Sequence, residues 1–438
     1  MVIGSDVVLR DILIESGRVE VIVDPGEGRA KDEIDARGLL VLPGAVDAHA
    51  HFNDPGRAEW EGWAAGTRGA ALGGITTVAD MPLSSIPPTL DGASFDAKRE
   101  AAAGTAVIDH ALWGGLVGRP DERKLTELRL RGAVGLKAFM TDSGVDEFER
   151  IADDDLREAL ALAANAGHAV AVHCEDDAMT RVAGDRASAA GRTDDKAWLD
   201  SRPADAEALA IDRLADAAFA TAARVHVVHV SGRAALSAVR RAKARSVSLT
   251  AETCPHYLTF TSADVERVGA ALKCAPPIRS AEDRSELWGA LGDGTLDLVA
   301  SDHSPCPAEM KQGGVMSAWG GIAGIQTFLP ALLTEGLSAK RLRPPGLVRL
   351  VSEAPARLLG LFPRKGSIRP HSDADLVFID PEREWTLEAA AIQARSAVSP
   401  YAGRRFTGAV VRTIVRGVTV QVDGEIVAPA GHGRLVTP

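Results

Sequence analysis

An α/β fold is predicted, a TIM-like (β/α)8 barrel with a small discontinuous β-sandwich domain from both termini, and three observations lead to it. Between residues 43 and 360, short Val/Ala/Leu-rich runs alternate with Ala-rich stretches of helical period. That order reads as repeated βα units around a parallel sheet. The two ends, 1–42 and 361–438, hold β-like segments broken by Gly and Asp turns, with no long amphipathic helix. Residues able to bind metals or move protons fall where the buried runs stop, the strand ends from which a β/α barrel builds its active site.

Taken in order, the N-terminal end offers DVVLRDILI, RVEVIV and GLLVL, separated by ESGR and DPGEG. Eight candidate barrel strands follow: GAVDAHAHF, ITTVADMP, HALWGGLV, AVGLKAFM, AVAVHCE, VHVVHVS, SLTAETCPH and LDLVASDH. Between them lie helical stretches such as EWEGWAAGTRGAALG, DDLREALALAANAG and GRAALSAVRRAKA. ADLVFID and AVVRTIVRGVTVQVDGEIV close the chain as β segments that pair with the N-terminal ones. The expected division is 1–42 plus 361–438 for the small domain and 43–360 for the barrel.

With 438 residues, 46% of them hydrophobic, there is ample material for a large core. The net charge of −11 disfavours a nucleic-acid or anionic-membrane partner. There is no long apolar run and no leader pattern, so a cytoplasmic protein is expected. Cys174, Cys254, Cys274 and Cys306 lack paired spacing and read as packing residues in a reducing compartment.

His49 and His51 stand two apart on a strand, so both point to one face and can grip one divalent ion. Lys137, in GAVGLKAF, lies within a buried run. Burial penalises its cation and frees the neutral amine, which can add carbon dioxide to become a bridging carbamate. His173 and His229 end two further runs and could hold a second ion. His226 and His229, three apart, are expected on opposite faces, with only His229 in the site. Asp302 can bind metal, take a proton from water and pass it to a leaving nitrogen. His110, His168, His256 and His303 are assigned to structural or supporting roles. Imidazole and carboxylate ligands suit zinc, with iron, manganese or cobalt also compatible. These residues together point to a metal-dependent hydrolase.

PGAVDAHAHF, SDHSPCP, EAPARLLGL and KGSIRPHSDADLVFID carry a resemblance over most of the chain to the cyclic-amidohydrolase branch of the amidohydrolase superfamily. The branch includes allantoinases, dihydroorotases, hydantoinases and dihydropyrimidinases. The resemblance implies a binuclear centre ligated by His49, His51, Lys137, His173, His229 and Asp302, with Lys137 as N6-carboxylysine, and a homotetramer. HFNDPGRAEWEGW, GGITTVADMPLSSIPPT, ETCPHYLTF, KCAPPIR, SDHSPCPAEMK and AWGGIAGIQ resemble the allantoinase group. That implies opening of the hydantoin ring of allantoin to allantoate by a hydroxide shared between the ions.

Dihydroorotases carry an Arg where this chain has Asn53, and an amide cannot replace a bidentate Arg–carboxylate pair. Dihydropyrimidinases carry a Tyr where Asp142 stands, and a carboxylate would repel an oxyanion. Asn53, Asp142, Ala275 and Gly320 are candidate substrate contacts, the last two through backbone groups. Ser84 departs from the Asn of many allantoinases. Three alternatives remain open: a hydantoinase or dihydropyrimidinase, a metal-free assembly module on the same fold, and a single-metal deaminase.

Overall fold

A computed structural model describes residues 1–438. Eight parallel strand segments form the barrel: Ala45–Ala50, Ile75–Asp80, Asp109–Leu112, Leu136–Phe139, Ala169–His173, Arg224–Val227, Leu249–Thr253 and Leu298–Val299. They pair in sequence order. The third runs on through Gly114 and Gly115, which pair with Leu136 and Lys137 of the fourth. Closure comes just beyond the eighth strand: the His51 N–H donates to the His303 carbonyl at 2.8 Å, and Ala50 bridges His303. All eight segments coincide with the runs expected from the sequence.

Every residue of the first two strands is buried, as in a sheet covered on one face by its own interior and on the other by helices. The helix Arg233–Ala244 illustrates the outer layer. It buries Ala235, Leu236, Ala238, Val239 and Ala242 and leaves its arginines outward. Arg241 and Lys243 occupy its last turn, where cations complement the helix dipole.

The small domain is an antiparallel five-stranded sheet in the order Glu425–Ile426, Val418–Val422, Arg405–Val415, Leu376–Thr386, Leu40–Pro43. The N-terminal strand thus pairs with the C-terminal part of the chain, Leu376 opposite Pro43 and Ile379 opposite Leu40. Alternation along Leu376–Ile379 divides the faces. Leu376 and Phe378, with Val41 and Ile414, pack against Ile12 and Ile22 of the hairpin Asp11–Glu15/Arg18–Val23. Val377 and Ile379 turn the other way into the main core. Gly44 joins sheet to barrel, and a Cβ there would lie 2.2 Å from the Thr76 side chain, so the junction admits only glycine.

We propose the division at 42/43 and 360/361 with one feature that the β-rich ending did not announce. The last residues return to the barrel: His110 N–H donates to the Arg434 carbonyl at 3.0 Å, and Val436 N–H to the His110 carbonyl at 2.8 Å. The tail therefore runs beside the third strand.

Barrel and small domain are fastened by buried charge. The Lys365 ammonium, fully enclosed, lies 2.6 Å from Asp109, 2.7 Å from Asp375 and 3.0 Å from Asp373. Arg416 also pairs with Asp109. Three carboxylates close together look like a cation site, but Lys365 and Arg416 already supply the charge. Removing one member of such a cluster strands the others in a low dielectric. Lys365→Met is expected to cost about 3–5 kcal/mol, read as a lower denaturant midpoint with an unchanged slope.

Candidate metal centre and active-site pocket

His49 and His51 leave the end of the first strand on one face, as their spacing requires. Their Nε2 atoms are 3.3 Å apart, and each lies 3.3–3.4 Å from Asp302 Oδ1. The ligand atoms of these three residues all fall within 4.8 Å of one another. His173 and His229 form a second group, with ring centroids 4.6 Å apart, and His229 lies 5.6 Å from His49. Lys137 connects the groups, since its charge is felt by His49, His173 and His229 alike. All six residues expected as ligands therefore meet at the C-terminal mouth of the barrel.

Electrostatics prepare this set for cations. Burial first, then neighbouring positive groups, hold His49 and His229 well below the usual histidine range, so both rings are neutral donors. Burial would raise the Asp302 carboxyl, but the bond and charge of His51 outweigh it and keep the group ionised. Burial pulls Lys137 down to about 8. Its Nζ is enclosed and has no hydrogen-bond partner; it stands over the Phe139 ring, 4.8 Å from the centroid. A buried amine without an acceptor is rare because it forfeits its hydration. Clustered buried imidazoles, one ionised carboxylate and an orphaned amine fit a pair of divalent ions.

Two carboxylates stand behind the histidines. His49 Nδ1 donates to Glu252 at 2.7 Å, leaving Nε2 for metal. His173 Nε2 donates to Glu175 at 2.7 Å, leaving Nδ1. Such partners fix the ring and its tautomer. Burial alone would raise Glu175, but the adjacent Arg202 guanidinium and the His173 bond bring it to about 2. Glu252 also accepts from His226 Nε2 at 2.9 Å, which corrects the expectation that His226 faces away from the site. Strand alternation ends at Val227, and His229 has φ of +42°. That left-handed residue resets the direction, so both rings point inward, His226 beneath His49 and His229 at the mouth.

Asp302, Asn53 and Ser84 share this conformation, at φ of +43°, +61° and +64°. Such backbone is costly for non-glycine residues and gathers at functional sites.

Above the donors is a cavity of about 480 Å³, within the usual range for small-molecule sites. Asn53, Asp142, Ala275 and Gly320 all line it, as does Ser84. Asn53 Nδ2 reaches the Pro305 carbonyl at 3.4 Å. One Asp142 oxygen accepts from Gly144 N–H at 3.0 Å, which ties the carboxylate to its own loop. Trp60 and Trp319 stand edge to face at 5.1 Å on the wall.

The Gly320 segment is hung from two lysines that sequence reasoning passed over. Lys273 donates to the Met316 and Ala318 carbonyls at 3.0 and 2.6 Å. Lys311 donates to those of Trp319 and Gly321 at 2.9 and 2.6 Å. Glu175 and Glu252 left a fainter signal: each is an inward position of a strand or its continuation, two residues from another inward polar group. Of the remaining histidines, His303 donates to Glu61 at 3.0 Å and accepts from Gly324 N–H, while His168 lies 2.9 Å from the Leu125 carbonyl.

Residues 40–420 match the model of the amidohydrolase family. This chain belongs to the amidohydrolase family. Among curated family members it is 48% identical over 431 residues to the allantoinase of Rubrobacter xylanophilus, covering 98% of this chain and 94% of that one. It is 44% identical to the allantoinase of Solibacter usitatus over 437 residues, covering 99% and 94%. Among solved amidohydrolase structures, the L-hydantoinase (dihydropyrimidinase) of Arthrobacter aurescens overlays with a TM-score of 0.96 at 34% identity, covering 100% of this chain and 98% of that one. The dihydropyrimidinase of Brevibacillus agri overlays at 0.92 with 30% identity, covering 99% and 96%. No helix is long and apolar enough to cross a membrane.

The Glu252 contacts give a test. Glu252→Gln keeps the shape but loses one acceptor for its two histidine donors. Metal affinity is expected to fall about 10–100-fold in titration of the apo-protein, with little change in thermal stability.

Proposed function

We propose that this protein hydrolyses a cyclic amide, opening the hydantoin ring of allantoin to give allantoate. The observation that carries the reading is similarity to allantoinases at 44–48% identity over nearly the whole chain, with a full donor set beneath a cavity that takes a small ring. Asn53 in the cavity wall agrees with it, because a neutral amide suits an uncharged ring better than an anionic one.

His49, His51, His173, His229 and Asp302, with Lys137 as its carbamate, would hold two divalent ions, zinc in the first instance. When bound, such a pair lowers the pKa of water and polarises a carbonyl. The chain's own residues supply the rest. Asp302 is ionised and within reach of His49 and His51, so it can accept a proton from the attacking water and deliver it to the leaving ring nitrogen. Asn53 and the backbone at Ala275 and Gly320 orient the ring, and the two lysines that hold the segment Met316–Gly321 keep the Gly320 backbone in place. The same reading carries a cytoplasmic homotetramer.

A hydantoinase or dihydropyrimidinase reading draws on the overlays with solved structures. Against it stands Asp142, on the cavity wall where those enzymes place a Tyr. The discriminating experiment offers allantoin, hydantoin, dihydrouracil and dihydroorotate to metal-replete enzyme beside a chelated control. Chelator-sensitive turnover of allantoin in strong preference to the others is expected; preference for hydantoin or dihydrouracil would transfer the protein to the second reading. Asp302→Asn is expected to keep bound metal and lose turnover by about 10²–10⁴-fold. Near-normal turnover in that variant would remove Asp302 from the proton path.

A further inference from the structure

The two groups of metal donors meet different side-chain supports, although the Glu252 carbonyl also accepts from Val230 N–H beside His229 at 2.8 Å. His49 leans on Glu252, and Glu252 on His226. His173 and His229 are served by a different network that crosses four segments of the chain. His173 Nε2 donates to Glu175 Oε2 at 2.7 Å, and Arg202 Nη1 donates to the same oxygen. Glu175 is fully enclosed, and its other oxygen has no partner. Arg202 is the arginine hydrogen-bonded to this buried carboxylate, and its charge is the largest that stabilises the ionised form. Its carbonyl accepts from Arg279 Nη1 at 2.6 Å, and Arg279 Nε donates to Ser231 Oγ at 3.2 Å. Ser231 follows His229 by two residues and is anchored on Glu207, through its N–H at 2.9 Å and its Oγ at 2.5 Å.

Arg202 itself sits between the helices Asp195–Ser201 and Ala204–Thr221. Its guanidinium lies 5.0 Å from the Trp198 ring centroid, and the residue lines the cavity. One side chain thus touches the His173 support, and its own carbonyl touches the support of the His229 loop.

We propose that Arg202 is a positioning residue for the His173–His229 half of the centre. Through Glu175 it holds the His173 ring with Nδ1 turned inward, and through Arg279 it ties that ring to the loop that carries His229. This rests on reading the donor set as a two-ion site. The physical reason is geometric: Glu175 Oε2 is held between Arg202 and the His173 ring, and without the guanidinium the buried carboxylate loses the partner that fixes it against that ring. Its hold on His173 then loosens, while His49, His51 and Asp302 make no bond to Arg202 or Glu175.

The test reconstitutes apo-protein with zinc or cobalt and counts ions, affinities and the cobalt visible spectrum in wild type, Arg202→Met and Arg202→Lys, with steady-state kinetics alongside. Arg202→Met should bind its first ion as wild type does and its second about 10–100-fold more weakly. The loss should appear in kcat at limiting metal and be largely repaired by excess metal, with KM little changed. Arg202→Lys, which keeps the charge, should recover much of the second-ion affinity. Circular dichroism checks that each variant folds. If Arg202→Met does not fold, Arg202→Lys and Arg279→Lys carry the test through a partial, selective loss of the second ion. Wild-type affinity for both ions with a raised KM would overturn the proposal and make Arg202 a substrate contact. Equal weakening of both ions would also overturn it, as a general structural effect. Wild-type protein that takes up fewer than two ions would instead remove the two-ion reading beneath it.

Discussion

The lone amine of Lys137 is the constraint on which the site depends. It sits on the fourth strand with no exposed surface and no hydrogen-bond acceptor. A charged lysine in that position would face several buried imidazoles and little compensation, so burial brings its pKa down to about 8. A value that low makes the neutral amine, which is the nucleophilic form, far more accessible than in an exposed lysine. Conversion to a carbamate would replace an unsatisfied donor with an anion that both donor groups can share. The same enclosure keeps His49 and His229 neutral, the form in which an imidazole binds metal.

Around that lysine the barrel sets distances through its closure. His51 is both a donor and, through its N–H to His303, part of the seam between the first and eighth strands. Asp47 takes the Ser301 N–H and hydroxyl at 2.9 and 2.5 Å, tying the Asp302 turn to the strand that bears His49. The donor set is therefore held by the bonds that close the barrel, and loosening one would loosen the other. The small domain contributes at the opposite remove, through Lys365 and its carboxylates, to the stability of the whole.

Much of this was legible in the sequence because barrel strands are short, apolar and punctuated. All eight runs, the pairing of the chain ends and the convergence of His49, His51, Lys137, His173, His229 and Asp302 follow from period and placement. What was not legible depends on backbone that departs from period. The positive φ of His229 resets the strand, so the inward turn of His226 does not follow from counting residues. Glu175 meets Arg202, and Lys273 meets Met316, across sequence separations that only the fold closes. The return of Arg434–Val436 to the third strand leaves no pattern, because a single bridge has no repeat.

The wall above the donors decides the substrate, and the donors decide whether there is chemistry at all. The most direct measurement on the latter is 13C NMR of apo-protein reconstituted with zinc and 13C-bicarbonate, beside Lys137→Ala. The account predicts one carbamate signal in the wild type that appears together with the second ion and is missing from the variant. Two tightly bound ions with no carbamate signal in the wild type would contradict it.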